Sequence, residues 1–242
     1  MIPAKTIHTS RTIMFSELAN VMDHAIDDNN YLDSLSQNVI NKKTSSGIKK
    51  TTGYLTALYS FDLKYPPFKA LKYFWQISEE KDKPILALLY AIGHDYMLAE
   101  SIPVVTETTP GDKVLIEKVD DMIESNHPSR YSENTRRSMA QNLASSWKQA
   151  GFITGKVKNI RTQLVIGYHI VAYAFFLAYL DGLRGDFILT SKWVKALSLS
   201  DLNVRELAFE AAKRDLMQYQ FAGSVTAISF NNLITKLEID GI

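Results

Sequence analysis

The stretch Ser132–Arg161, SENTRRSMAQNLASSWKQAGFITGKVKNIR, decides the fold class. Ser132 suits a helix N-cap, and Gly151 sits where a left-handed C-cap would end the helix. At about 100° per residue, Met139, Ala140, Leu143, Ala144 and Trp147 gather on one side of Glu133–Gln149. Beyond the helix, Phe152–Arg161 places a Thr-Gly turn between short β-prone runs, which predicts a hairpin. The order recurs near the C-terminus. Ser191–Leu197 and Asp201–Met217 read as two helices joined by a tight turn, with Asp201 capping the second. Tyr219–Phe230 then alternates around Ala222–Gly223 as a second hairpin. Helix–turn–helix–hairpin is the order a winged helix needs, because the hairpin covers one edge of a three-helix core.

The rest reads as helix. Ser10 is expected to cap a helix burying Ile13, Met14, Leu18, Val21, Met22 and Ile26. Helices follow at Asn29–Ile40 and Gly47–Ser60, themselves spaced like a helix–turn–helix. Pro67 suits the first turn of Phe68–Ile77, and Pro84 opens a helix to about Leu98. Ser101–Asp112 reads as a loop with a Pro110–Gly111 turn, and Lys113–Ser125 as a short amphipathic helix. The expected architecture is mainly α, in two helical lobes with winged-helix and helix-turn-helix-like units and small β-hairpins. The lobes are placed at 1–125 and 126–242.

The chain has 242 residues, 46% of them hydrophobic, enough for a sizeable core without staples. It has no cysteine, which excludes disulfides, thiolate zinc sites, iron–sulfur clusters and cysteine nucleophiles. Met1–Ser10 lacks the apolar run of a secretory signal. Leu164–Leu180 is uncharged but falls short of the roughly 20 residues of a bilayer span and contains His169, so it reads as a buried helix. The expectation is a cytoplasmic protein with no membrane partner.

Charge is unevenly distributed behind a net +1. Residues 42–72 carry seven lysines against Asp62, and residues 130–161 carry seven cations against Glu133. Residues 78–124 hold eleven acids and four lysines. Such asymmetry is an electrostatic footprint to test for nucleic acid. On the helix after Ser132, Asn134, Arg137, Ser138, Gln141, Ser145 and Lys148 lie opposite the apolar side, a polar side read as free of acids. Arg, Gln, Asn and Ser are the types that meet base edges and phosphates. The candidate DNA-binding residues are Lys42, Lys43, Lys49, Lys50, Asn134, Arg136, Arg137, Gln141, Lys148, Lys156, Lys158 and Arg161.

Catalytic marks are missing. There is no GxxxxGK[ST] loop, no GxGxxG after a strand and no HExxH, and the five histidines never fall at metal-ligand spacing. His94–Asp95 reads as a helix-terminal polar pair, and Ser145–Ser146 lacks a glycine-flanked elbow or a neighbouring histidine in sequence. Adjacent carboxylates at Glu79–Glu80 and Asp120–Asp121 point about 100° apart on a helix and form no dyad. Tyr73, Phe74 and Trp75 read as core. The expectation is a non-enzymatic protein with no cofactor and no metal.

Tyr131–Gly155 also carries a family resemblance. A Ser-x-x-Thr-Arg-Arg start, an Asn142–Leu143 pair in mid-helix and a closing Gln-Ala-Gly-Phe-Ile resemble BrxA-type proteins of BREX phage-defence operons. Thr135, Arg136, Arg137, Asn142, Leu143, Ala150 and Gly151 match the pattern, and Gly47–Asp62 and Phe68–Trp75 are compatible with the N-terminal part of such proteins. The resemblance covers about half the chain. It implies a small, helical, non-enzymatic component of a bacterial anti-phage system whose partners are double-stranded DNA and other defence proteins. A protein–protein adaptor without DNA affinity is the rival reading.

Overall fold

Ser132, Thr44, Ser191 and Ser200 each accept a backbone N–H from the first turn of the helix that follows, so short hydroxyl side chains set where much of the chain becomes helical. The computed structural model describes residues 6–222 and 225–240. In chain order the elements are α1 (Phe15–Ala25), α2 (Tyr31–Ser36), α3 (Ser45–Tyr59), α4 (Pro66–Ile77), α5 (Lys83–His94), α6 (Tyr96–Glu100) and α7 (Ile102–Thr106). They continue as α8 (Ile116–Asn126), α9 (Glu133–Gln149), β1 (Ile153–Thr154), β2 (Ile160–Arg161), α10 (Tyr168–Leu180) and α11 (Asp186–Leu189). The last are α12 (Lys192–Ala196), α13 (Asp201–Ala212), β3 (Gln218–Ala222), β4 (Val225–Ser229) and α14 (Asn231–Lys236). The fold is mainly α, with two small antiparallel hairpins, β1–β2 and β3–β4.

Residues up to Leu63 and Ala91–Leu164 form one compact unit, and Lys64–Tyr90 with the residues from Val165 form the other. The sequence boundary between residues 125 and 126 falls inside the first unit, between α8 and α9, which pack together there. In the first unit, Met139, Leu143 and Trp147 of α9 are buried beside Phe152, whose ring meets Trp147 edge-on at 5.3 Å. In the second unit α10 is buried on every side from Ile170 to Phe176 and packs against α4, α12 and α13. Trp193 donates from Nε1 to the Leu89 carbonyl at 3.0 Å. α10 is a core helix of 13 residues, and among the described residues no single helix is long and apolar enough to cross a membrane.

Several expected boundaries move. The first helix starts at Phe15, because the Ile13 and Phe15 N–H groups donate to Ser146 Oγ and Gln149 Oε1, and Met14 takes a left-handed conformation. Residues 29–40 hold only the short α2, since Asn38 and Asn41 adopt positive φ and turn the chain. Asp95 splits the helix expected through Leu98 by capping α6 with bonds from the Met97 and Leu98 N–H groups. The expected loop Ser101–Asp112 contains α7, where Pro103 occupies the first turn and its missing N–H is of no consequence. Ser200, not Asp201, caps α13, and α14 follows the second hairpin unforeseen. The hairpin forms, but Ala222, expected in its turn, is the last residue of β3 and pairs with Val225; Gly223 lies outside the described residues.

Candidate nucleic-acid interface

The strand–turn–strand after α9 is built for one conformation. Ile153 pairs with Arg161 and Thr154 with Ile160, and Gly155 turns the chain at φ 89°. A Cβ at Gly155 would lie 2.4 Å from the Lys158 carbonyl oxygen, so only glycine fits there. On its other edge β2 meets the segment before α8. Lys113 bridges Ile160, the Val114 N–H donates to the Asn159 carbonyl at 2.7 Å, and the Arg161 N–H donates to the Asp112 carbonyl at 2.9 Å. Lys113, α8, α9, β1, a turn and β2 therefore follow one another, with β2 central among the three extended segments.

Side chains at the expected site divide into presented and engaged. Asn134, Arg137 and Gln141 are exposed on α9, Lys148 is half-buried near its end, and Lys156 and Lys158 are exposed on the turn with Val157. Arg136 points elsewhere. Its Nη1 lies 2.7 Å from Glu124 and its Nε 3.4 Å from Asp120, so it ties α9 to α8 rather than facing solvent. Arg161 is 1% exposed, and its guanidinium donates to the carbonyls of Val105, Phe152 and Thr162 while stacking over the Phe152 ring at 5.2 Å. Burial lowers its pKa from the usual arginine value. Neither Arg136 nor Arg161 reaches a ligand in this arrangement; both expectations are corrected to structural roles.

The outer side of α9 is also not free of acids in space. Glu133, one turn before Arg137, joins Ile116, Glu117, Asp120, Asp121, Arg137 and Gln141 in lining a groove of about 440 Å³. A helical-wheel reading of α9 alone does not show the carboxylates that α8 brings alongside.

The lysines of residues 42–72 are divided between the two units. Lys43, Lys49 and Lys50 are exposed at the start of α3, but Lys42 binds Glu17 at 2.6 Å. Lys64, Lys69 and Lys72 belong to the second unit, where Lys69 donates to the Leu237 and Glu238 carbonyls at the end of α14.

The turn between α8 and α9 is held by rings and one acid. His127 Nε2 lies 2.9 Å from Glu100, the Tyr96 and Tyr131 hydroxyls meet at 2.7 Å, and the Arg130 guanidinium covers both tyrosine rings. Sequence reading missed a buried network behind α9. His8 joins Asp95 Oδ2 through Nδ1 and Ser146 Oγ through Nε2, each at 2.9 Å. Burial alone would raise the Asp95 pKa; the attraction and hydrogen bond of His8, with bonds from Thr6 and the Ile7 N–H, outweigh it and hold the carboxyl below the usual range. The order Ser–His–Asp matches a hydrolytic triad, yet all three side chains are enclosed and Ser146 Oγ donates to the Asn142 carbonyl. The network instead fastens residues 6–13 to α6 and α9. Its members stand 87 and 138 residues apart, so no local spacing reveals them.

With this geometry in place, comparison with known proteins adds no relative: no protein-family model, no curated protein and no solved structure matches the chain.

Proposed function

We propose that the chain binds double-stranded DNA through a winged-helix-like unit in which α9 enters the major groove and the β1–β2 turn contacts the backbone. The observation that carries the reading is the order of elements around β2: an extended segment at Lys113, α8, α9, β1, turn, β2, with the first segment and β1 on either side of β2. In winged helices the second helix of the pair is the reading helix. Here it presents Asn134, Arg137 and Gln141, while the turn presents Lys156 and Lys158 and no acid. Arg137 and Gln141 have the chemistry to read base edges; Lys148, Lys156 and Lys158 would neutralise phosphates. The role is non-enzymatic, and the resemblance of Tyr131–Gly155 to BrxA-type proteins supports placing it within a bacterial anti-phage system. An α3 contribution through Lys43, Lys49 and Lys50 belongs to the same proposal as a secondary, non-specific contact.

A second reading has its own observation. The carboxylates of Glu117, Asp120, Asp121 and Glu133 beside Arg137 favour a polar protein contact, as an adaptor would make. Salt separates the two. Lys148, Lys156 and Lys158 on three phosphates would release the counterions condensed there and give a slope of about −2.7 in log affinity against log salt. Fluorescence anisotropy with a labelled duplex at several salt concentrations measures it. No duplex affinity at low salt would leave the adaptor reading standing.

A further inference from the structure

The turn between β1 and β2 carries an apolar residue among cations. Val157 is 88% exposed and stands between Lys156 and Lys158, both also exposed. A lone valine on a surface needs no explanation. The setting of this one points to a ligand. The turn is held in one shape: Gly155 brings the chain so close to the Lys158 carbonyl that a Cβ would lie 2.4 Å from its oxygen, and the Ile160 N–H donates to the same carbonyl at 3.0 Å. Val157 is therefore presented from a shaped turn. Charge along this stretch has one sign, because no acid occurs in the sequence between Glu133 and Asp181. Asp112, on the neighbouring segment, pairs its main chain with Arg161, at the far end of β2 from the turn.

The order cation, apolar residue, cation has a counterpart on a duplex. Residues two apart have Cα atoms at most about 7 Å from each other. The minor groove is about 6 Å wide, against about 12 Å for the major groove. Phosphates line both of its rims, and the walls between them are deoxyribose, which is largely apolar. A turn with one short apolar side chain at its centre and a long cationic one on each side fits the narrow groove and is too small to span the wide one. Proteins that bind the minor groove commonly place an apolar side chain in it.

We propose that the β1–β2 turn enters the minor groove, with Val157 between the sugar walls and Lys156 and Lys158 on phosphates of opposite strands. The placement rests on the reading of α9 as a helix in the adjacent major groove. It adds a preference for A·T-rich sequence under the turn. There the groove is narrow, so its walls close on the valine, and its negative potential favours the two lysines.

Fluorescence anisotropy of the full chain with a labelled A·T-rich duplex tests this, with and without saturating netropsin, a small molecule that fills the minor groove of A·T steps and leaves the major groove open. The wild type is expected to bind the netropsin-filled duplex about tenfold more weakly. Val157→Ser, at an exposed position, is expected to lose about tenfold without netropsin, the loss of one partly buried valine. Its salt slope stays that of the wild type, because every phosphate contact remains. Val157→Leu, which keeps the apolar contact, is expected to retain affinity. Wild-type binding that netropsin does not weaken, or a Val157→Ser variant that binds like the wild type, would overturn the minor-groove placement and leave α9 in the major groove standing. No affinity for the duplex at low salt would overturn both.

Discussion

Replacing Arg137, Lys156 and Lys158 with Glu together is expected to lower duplex affinity about 100-fold or more while the thermal melt moves by no more than a few degrees. Loss of a base-reading arginine and of two phosphate contacts at about 1 kcal/mol or more each gives that factor. The three side chains are exposed and hold no other element, so stability should change by about 0.5 kcal/mol or less per site. Arg136→Glu is expected to behave in the opposite way. It sets a third carboxylate against Asp120 and Glu124 and should destabilise the α8–α9 packing, with lost binding only as a consequence. Gel shifts and melts on the two proteins check both halves. A triple variant that binds like the wild type would remove α9 and the β1–β2 turn from the interface.

Asp95→Ala is expected to cost about 3–5 kcal/mol, the usual penalty for removing one member of a buried pair. His8 would be left enclosed without its carboxylate, Thr6 and Ile7 would lose their acceptor, and α6 its N-cap, itself worth about 1 kcal/mol. Because the folded-state pKa of Asp95 is depressed, its contribution is fully present above the ordinary aspartate value of about 3.9 and is lost as pH falls through the lower folded value. Denaturant unfolding at neutral pH and near pH 3 should therefore show the gap between wild type and Asp95→Asn narrowing in acid. A variant within about 1 kcal/mol of wild type at pH 7 would mean the network does not hold residues 6–13 in place.

α9 was legible to the residue because one capping serine, one apolar stripe and one glycine all act locally. α10 was legible through its uninterrupted apolar run, the first hairpin through its Thr-Gly turn and the second through its alternation. What local pattern could not supply was pairing across long separations. Arg136 and Arg161 look like Arg137 in sequence, yet Glu124 claims the first and three carbonyls the second. The acid-lined groove beside Arg137 likewise exists only because α8 packs against α9. The division into units escaped notice because the second one is assembled from two separated segments. Charge totals along the chain therefore overstated the basic surface, and the surviving set is small: Arg137, Lys148, Lys156 and Lys158 in one place, Lys43, Lys49 and Lys50 in another.

Hydrogen exchange of the full chain, read by mass spectrometry with and without a saturating duplex at low salt, tests the interface most directly. Slowed exchange strongest in residues 133–148 and 155–159, with a weaker effect at 43–50, is the expected result. Unchanged exchange in residues 133–148 and 155–159 while the duplex is bound would contradict it.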